Sequence, residues 1–391
     1  MEGFIYPKNN NADRGNVGIY IHVPFCLSKC HYCDFCSVLR YGEEQREMYV
    51  NALISEMELF ARHIGDMGAV PEADTVYFGG GTPTLLSSEQ FYRLLGAVDR
   101  LFGIAEGAEI TAETNPKSAD GQKLAEIRRA GVNRLSIGMQ SAHDEELRAL
   151  GRIHKFKDFK RTFADARDAG FDNVSADLMY GIPNQTGESF ASSVETLAAF
   201  KPEHISSYCL TVEEGTNFFR RRDSLDLPDE DAVGDMYAAM SRTLCSVGYE
   251  KYEISNFALP SRESRHNLKY WLCRDYLGFG PAAHGYFAGV RFGHSHDVDA
   301  YVSGKSTIID VEGISKDEAM RESALLGMRL AKGVDLDLFY ADFGVKMLDV
   351  FPNFTKFAPK FVNMDGKHCH FTDEGMFVSN YILADALDFG E

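Results

Sequence analysis

The chain has 391 residues, 45% of them hydrophobic and 25% charged, with a formal net charge of −18. That length fits one large domain plus a smaller one, and the acidity argues against a nucleic-acid partner, whose phosphates are bound through clustered Lys and Arg. No apolar stretch approaches the ~20 residues that span a bilayer, and Met1 to Gly18 is polar and Asn-rich rather than a signal sequence, so the expectation is a cytoplasmic protein with at most transient membrane association.

The first predicted strand, Gly18 to Phe25, runs straight into Cys26-Leu-Ser-Lys-Cys30-His-Tyr-Cys33-Asp-Phe-Cys36. Three thiols in C-x3-C-x2-C spacing suit a small thiophilic group. A cubane of four irons and four sulfides normally takes four cysteines, so a loop offering three leaves one iron open to another ligand. Zinc completed by His22 or His31 is the competing reading, although structural zinc sites usually close with a second short ligand pair, and none follows at the usual distance. A disulfide suits this dense loop less well, with no signal peptide read ahead of it. Cys36 stays open between a fourth thiol near the group, a contact to another ligand and a small apolar residue.

From there a strand and a helix alternate at ~30-residue intervals, the length of a βα unit. The predicted helices are Glu43 to His63, Ser87 to Phe102, Ala119 to Ala130, Lys157 to Ala169 and Glu188 to Phe200. Between them lie predicted strands Ala73 to Phe78, Glu109 to Glu113, Arg134 to Met139, Val174 to Met179 and His204 to Leu210. Six such units favour a parallel sheet. The polar residues fall at or near the strand ends: Gly79-Gly80-Gly81-Thr82-Pro83 after the second, Glu113 on the third, Gln140 after the fourth, Asp177 on the fifth. In a β/α barrel all these positions open on one face, where active sites are built. Glycines without Cβ atoms let a backbone approach a ligand closely, although a bare glycine run is as readily a tight turn. Glu113 suits a ribose or an ammonium, and Arg152 a carboxylate. Taken singly, each is more often a satisfied structural polar group; their common face makes the case.

Beyond Leu227 the rhythm changes. Asp229 to Gly248 reads as one amphipathic helix, Tyr249 to Tyr301 is rich in Gly, His and aromatics, a helix runs from Ser315 to Lys332, and His368 to Ala386 reads as strand, turn and helix. The predicted division is a core over 1–228, a segment over 229–312 that completes it, and a C-terminal domain over 313–391. Arg220 to Arg222 reads as a solvated loop face, and Cys209, Cys245, Cys273 and Cys369 as ordinary buried residues.

Tyr20 through Asp34, Gly79-Gly80-Gly81-Thr82-Pro83, Ser136-Ile-Gly-Met-Gln140, Leu150-Gly-Arg152-Ile-His154, Asp177-Leu-Met-Tyr-Gly-Ile-Pro183, His266-Asn-Leu-Lys-Tyr-Trp271 and Phe371 through Asn380 together resemble the HemN/HemW group of the radical S-adenosylmethionine (SAM) superfamily. The resemblance covers most of the chain. It implies an α/β fold, a partial (β/α)6 TIM-like barrel with a smaller, mainly helical C-terminal domain, winged-helix-like as one option. It implies a [4Fe–4S] cluster on Cys26, Cys30 and Cys33, and SAM lined by Tyr20, Tyr32, Gly80, Gly81, Thr82, Glu113, Gln140, Arg152 and Asp177. In the superfamily such a cluster, fed by a one-electron donor such as a flavodoxin or ferredoxin, cleaves SAM to a 5′-deoxyadenosyl radical.

Within the group the chain leans towards the HemW branch. The coproporphyrinogen dehydrogenases resemble C-x3-C-x2-C-x-C, whereas here Phe35 stands at the fourth cysteine's position and Cys36 one step later. They also carry a longer arm than the 19 residues ahead of Tyr20, and His266-Asn267-x-x-Tyr270-Trp271 matches a HemW signature. That branch implies haem as cargo, passed to an acceptor protein. His266 is then a candidate axial ligand, Tyr270 and Trp271 candidates to pack on the porphyrin, and His284, His294 and His296 further candidates. A dimer is one possible state. The alternatives are an oxygen-independent coproporphyrinogen III dehydrogenase of porphyrin biosynthesis, which converts two propionates to vinyls, and a structural cluster or zinc protein without SAM chemistry.

Overall fold

Six parallel strands lie side by side in chain order: β1 (Val17–Val23), β2 (Ala73–Gly80), β3 (Ile104–Thr114), β4 (Arg134–Gln140), β5 (Val174–Tyr180) and β6 (His204–Cys209). The computed structural model describes residues 15–387 apart from 40, 69 and 306, so the readings on 1–14 and 388–391 lie outside the described residues. The crossovers carry α1 (Glu43–Met67), α2 (Ser88–Phe102), α3 (Gly121–Arg129), α4 (Asp144–Ala149), α5 (Phe156–Asp168) and α6 (Gly187–Phe200). Ser87 and Thr186 begin α2 and α6 as N-caps, each accepting a backbone N–H three residues on, which satisfies donors that the helix itself leaves open. On β1 the period of two puts Val17, Ile19, Ile21 and Val23 wholly inside, and Tyr20 and His22 on the opposite face.

The segment after β6 extends this sheet on both edges. β6 pairs antiparallel with β8 (Asn256–Ala258), and β8 with β7 (Glu250–Lys251). On the other side β9 (Tyr276–Phe279) runs parallel to β1, followed by antiparallel β10 (His284–Phe287), β11 (Val290–His294) and β12 (Ile308–Gly313). The result is a twelve-stranded sheet whose outer strands, β12 and β7, do not pair with each other among the described residues. The barrel is therefore open, with strands supplied by 250–313 that the βα rhythm alone had not indicated.

Between β6 and β9 the chain forms α7 (Asn217–Arg220), α8 (Glu230–Ser246) and α9 (Arg265–Trp271). The short α9 lies at the foot of the strands. Both oxygens of Glu109 accept N–H bonds from its first turn, from His266 and Arg265 at 3.1 Å each. Lys269 pairs with Asp74 at 2.8 Å and donates to the Asn16 carbonyl at 2.9 Å. Charges at the bottoms of β2 and β3 thus hold α9 as a stopper against the barrel's lower mouth.

After α10 (Val298–Val302), the C-terminal unit opens with α11 (Lys316–Gly327), begun by a capping box of Ser315 and Glu318. It has its own core around Met320, Phe339, Met347, Phe354, Val362 and Ile382. Its strands β13 (Val334–Asp335), β14 (Val362–Met364) and β15 (His368–Phe371) form a small antiparallel sheet among helices. The expectation of four buried lone cysteines holds for Cys369 only. Cys273 is half-buried, and Cys209 and Cys245 are exposed, because Cys209 ends β6 beyond its buried stretch and Cys245 lies on an outer face of α8. No described helix is long and apolar enough to cross a membrane.

Candidate functional site

The cysteine loop leaves β1 and is fixed by backbone bonds at three places. Cys26 N–H donates to Val38 O at 3.0 Å and Val38 N–H to Pro24 O at 2.7 Å, which pinches the loop's base; His31 N–H donates to Leu150 O at 2.9 Å, and Phe218 N–H to His31 O at 2.9 Å. The two histidines weighed as zinc ligands serve this anchoring. His31 Nδ1 bonds the Ala149 carbonyl at 3.1 Å, while His22 bonds the Cys36 carbonyl at 2.9 Å and the Tyr20 hydroxyl at 3.1 Å. Among the described residues no group of three His, Cys, Asp or Glu side chains is disposed to hold a single metal ion.

Cys26, Cys30 and Cys33 instead line one cavity of about 330 Å³ that runs inside the barrel, from the cysteine loop past Tyr77, Ser136 and Arg134 on the strands to Asn267 of α9. Gly80 (φ 107°) and Gly81 turn β2 beneath the loop. A Cβ on Gly81 would stand 2.7 Å from Phe25 O, and its N–H donates to Val23 O at 2.9 Å. Side chains would push strand and loop apart. Of the residues anticipated for SAM, Tyr32, Gly80, Gly81, Glu113, Gln140, Arg152 and Asp177 line this cavity. Tyr20 and Thr82 do not. Tyr20 lines a neighbouring groove, and Thr82 turns to Cys26 Sγ, at 3.7 Å, and to Asn115 Nδ2, at 2.8 Å.

The cavity wall carries two half-buried carboxylates, Glu113 and Asp177, with half-buried Arg152 and fully buried Arg134 as its guanidiniums. Burial, reinforced by the Asp177 charge, lifts Glu113 to about 7, against the pull of its bonds from Tyr77 Oη (2.8 Å) and Gly80 N–H (3.2 Å). Asp177 is also raised, chiefly by burial, while Ser136 Oγ donates to it at 3.0 Å. Arg152 donates to the Gly138 carbonyl at 3.0 Å, to Cys30 Sγ at 3.5 Å and to Asn115 Oδ1. Gln140 sits at φ 67°, a left-handed conformation that costs a non-glycine residue energy. Its Oε1 and the Nε of Arg134 are buried without a hydrogen-bond partner, two polar atoms left over at the cavity wall.

This set fits a cluster with a sulfonium nucleotide beside it. Thiols spread around a cavity suit separate corners of a cubane, the carboxylates suit an ammonium and hydroxyls, and Arg152 suits a carboxylate. Burial pushes the Cys33 thiol up to about 11 and raises Cys26 as well, so both must release protons to become ligands. Arg134, Asn115 and Ser136 also line the cavity, beyond the residues expected for SAM. The available signal was Arg134 itself, a charge that opens an otherwise apolar strand and is only 2% exposed.

The three residues of the anticipated haem signature diverge. His266 is buried, with Nδ1 bonded to Thr75 Oγ1 and Nε2 to Tyr270 Oη, both at 2.8 Å, and its ring stacked on Tyr77 at 5.2 Å. Burial drives its pKa down to about 3. Tyr270 reaches the groove shared with Tyr20, and Trp271 borders a separate crevice against the C-terminal unit. His266→Ala should therefore cost about 2–4 kcal/mol in a denaturant titration, through a lost core side chain and two orphaned hydroxyls. An unchanged midpoint would mean that the His266 ring does not bridge Thr75 and Tyr270 as described.

Residues 20–197 match the radical SAM superfamily and residues 314–378 the HemN C-terminal domain. The chain is 36% identical over 373 residues to the heme chaperone HemW of Bacillus subtilis, covering 93% of this chain and 97% of that protein. It is 38% identical over 269 residues to the heme chaperone HemW of Escherichia coli, covering 69% and 70%. Among solved structures, the coproporphyrinogen III oxidase HemN of Escherichia coli superposes with a TM-score of 0.83 at 23% identity over 96% of this chain and 91% of that one, a likeness of fold.

Proposed function

The chain belongs to the HemW family of the radical SAM superfamily, and from that premise we propose that it is a haem chaperone, binding haem beside a [4Fe–4S] cluster and SAM and delivering it to an acceptor protein. The observation that carries this reading is the 34–36% identity, over 93% of the chain, to proteins named for that role. The gathering of three thiols, the glycine turn and the two half-buried carboxylates around one cavity supports the cofactor part. When bound, the cluster and SAM supply one-electron chemistry at a sulfonium.

The chain's own residues bind and orient. Cys26, Cys30 and Cys33 would ligate three irons. Gly80 and Gly81 bring backbone close to the nucleotide, and Glu113 and Asp177 offer carboxylates to its ammonium and hydroxyls. Arg152 would balance a carboxylate, and it donates a hydrogen bond to Cys30 Sγ. A barrel left open at one side leaves room for a protein acceptor.

The test is anaerobic reconstitution followed by two parallel assays, haem titration and incubation with coproporphyrinogen III, SAM and reductant. The expected result is one haem per chain, transferable to an apo-acceptor, with no vinyl product. Turnover to protoporphyrinogen IX, or no haem binding, would reject the proposal.

A further inference from the structure

Beside the cofactor cavity, and sharing Phe35, Gly80 and Glu113 with it, lies a second groove of about 470 Å³, within the range of sites that bury a small organic ligand. One flank is the tail of the cysteine loop, Phe35 and Cys36; tyrosines 20, 270 and 276 add aromatic surface; His284 and His296 stand on the β10–β11 side. Phe35 is 61% exposed, a large apolar side chain at the junction of both cavities with nothing to cover it. The Cys36 thiol donates to the His296 carbonyl at 3.5 Å, tying loop to hairpin.

The histidines of the molecule divide by what their rings do. His22, His31, His143, His154, His204, His266, His294 and His370 each engage a ring nitrogen with a carbonyl, hydroxyl or carboxylate, His368 faces Asp335 and Asp365, and His63 also has a partner. His284 and His296 are exposed and make no ring hydrogen bond among the described residues. Of the two, His284 sits on a strand, paired in the ladder with Gly293. A Cβ on Gly293 would stand 3.0 Å from the His284 ring, so the glycine provides the ring's resting place. His296 lies in the loop beyond β11 and has no such seat. A rigid element holds a ligand better than a loop.

We propose that this groove receives the iron tetrapyrrole, with the His284 imidazole as axial ligand, the tyrosine surface against the macrocycle and Phe35 over its edge. The inference rests on the haem-binding reading above and adds the place and the ligand to it. Imidazole is a common axial ligand of haem iron, and an aromatic ring suits a porphyrin face; Tyr270 and Tyr276 meet edge to face at 81°, so one ring would offer its face and the other its edge. His266 then acts at one remove, its Nε2 bond fixing the Tyr270 hydroxyl, as a positioning residue. The shared residues would place the cargo next to the cluster.

The experiment is a ferric haem titration of cluster-loaded wild type, His284→Ala and His296→Ala, read by the Soret band and by electron paramagnetic resonance of the ferric haem, with circular dichroism as the folding control. For His284→Ala the expected result is at least about tenfold weaker binding, loss of the nitrogen-ligated signal, and its return when free imidazole is added. His296→Ala should keep the wild-type signal. An unchanged Soret band and affinity in His284→Ala, or a loss confined to His296→Ala, would overturn the assignment while leaving haem binding intact. Wild type that takes up no haem would overturn the proposed function and this inference together.

Discussion

Cys33→Ala, reconstituted without oxygen beside wild type, should retain less than about a tenth of the wild-type iron and acid-labile sulfide. Three thiolates already leave one corner of a cubane to a non-protein ligand; with two, a second iron is open to water. Cys36 does not offer an easy replacement, because its thiol is turned to the His296 carbonyl and its backbone carbonyl holds His22. The fold should survive the change. The loop's anchors are main-chain bonds at Cys26, His31 and Val38, none of which uses a thiol. Far-ultraviolet circular dichroism should therefore match wild type, and Cys36→Ser should keep its iron. Full iron in Cys33→Ala would mean that the cavity does not hold the cluster on Cys26, Cys30 and Cys33.

Glu113→Gln should lower SAM affinity roughly 10- to 100-fold at pH 8 and abolish its dependence on pH, measured by calorimetry on cluster-loaded protein. The carboxyl sits at about 7, so below that pH it is largely neutral and offers an ammonium no charge. Wild-type affinity should climb about tenfold per pH unit up to 7 and then level off. The same residue has the opposite sign for stability without ligand. A carboxyl raised on folding is an asset below its ordinary value of 4.5 that disappears as pH passes upward through about 7. Ligand-free Glu113→Gln should thus melt a few degrees above wild type at pH 8 and close to it at pH 5. A parallel pH profile of affinity in both proteins would show that Glu113 does not meet the cation.

The parallel half of the sheet was legible because its period is local. Apolar runs of strand length separated by helices with one apolar face announce βα units wherever they occur, and the site residues follow from where those runs end. The extra strands were not legible in this way. What pairs with the free edge of β1 is decided by Tyr276–Phe279, far away in sequence, in a stretch whose glycines and aromatics carry no clear alternation. The burial of His266 was hidden for a related reason. A histidine beside a tyrosine and a tryptophan looks like a binding motif, and only the Glu109 and Asp74 anchors, from two other strands, turn that short helix into a stopper. Tyr20 and Thr82 lie beside the anticipated cavity without lining it, a difference of side-chain direction that the order of strands cannot convey.

The contact between Cys36 and His296 bridges 260 residues. On a ribosome adding ~5–20 residues per second, roughly ten to fifty seconds separate the appearance of one flank of the groove from the other. During that interval the nascent cysteine loop has no hairpin beside it and stands open to solvent and oxidant. Loading the metal before translation is complete would therefore expose it, and assembly late, on a finished chain, is the safer sequence of events.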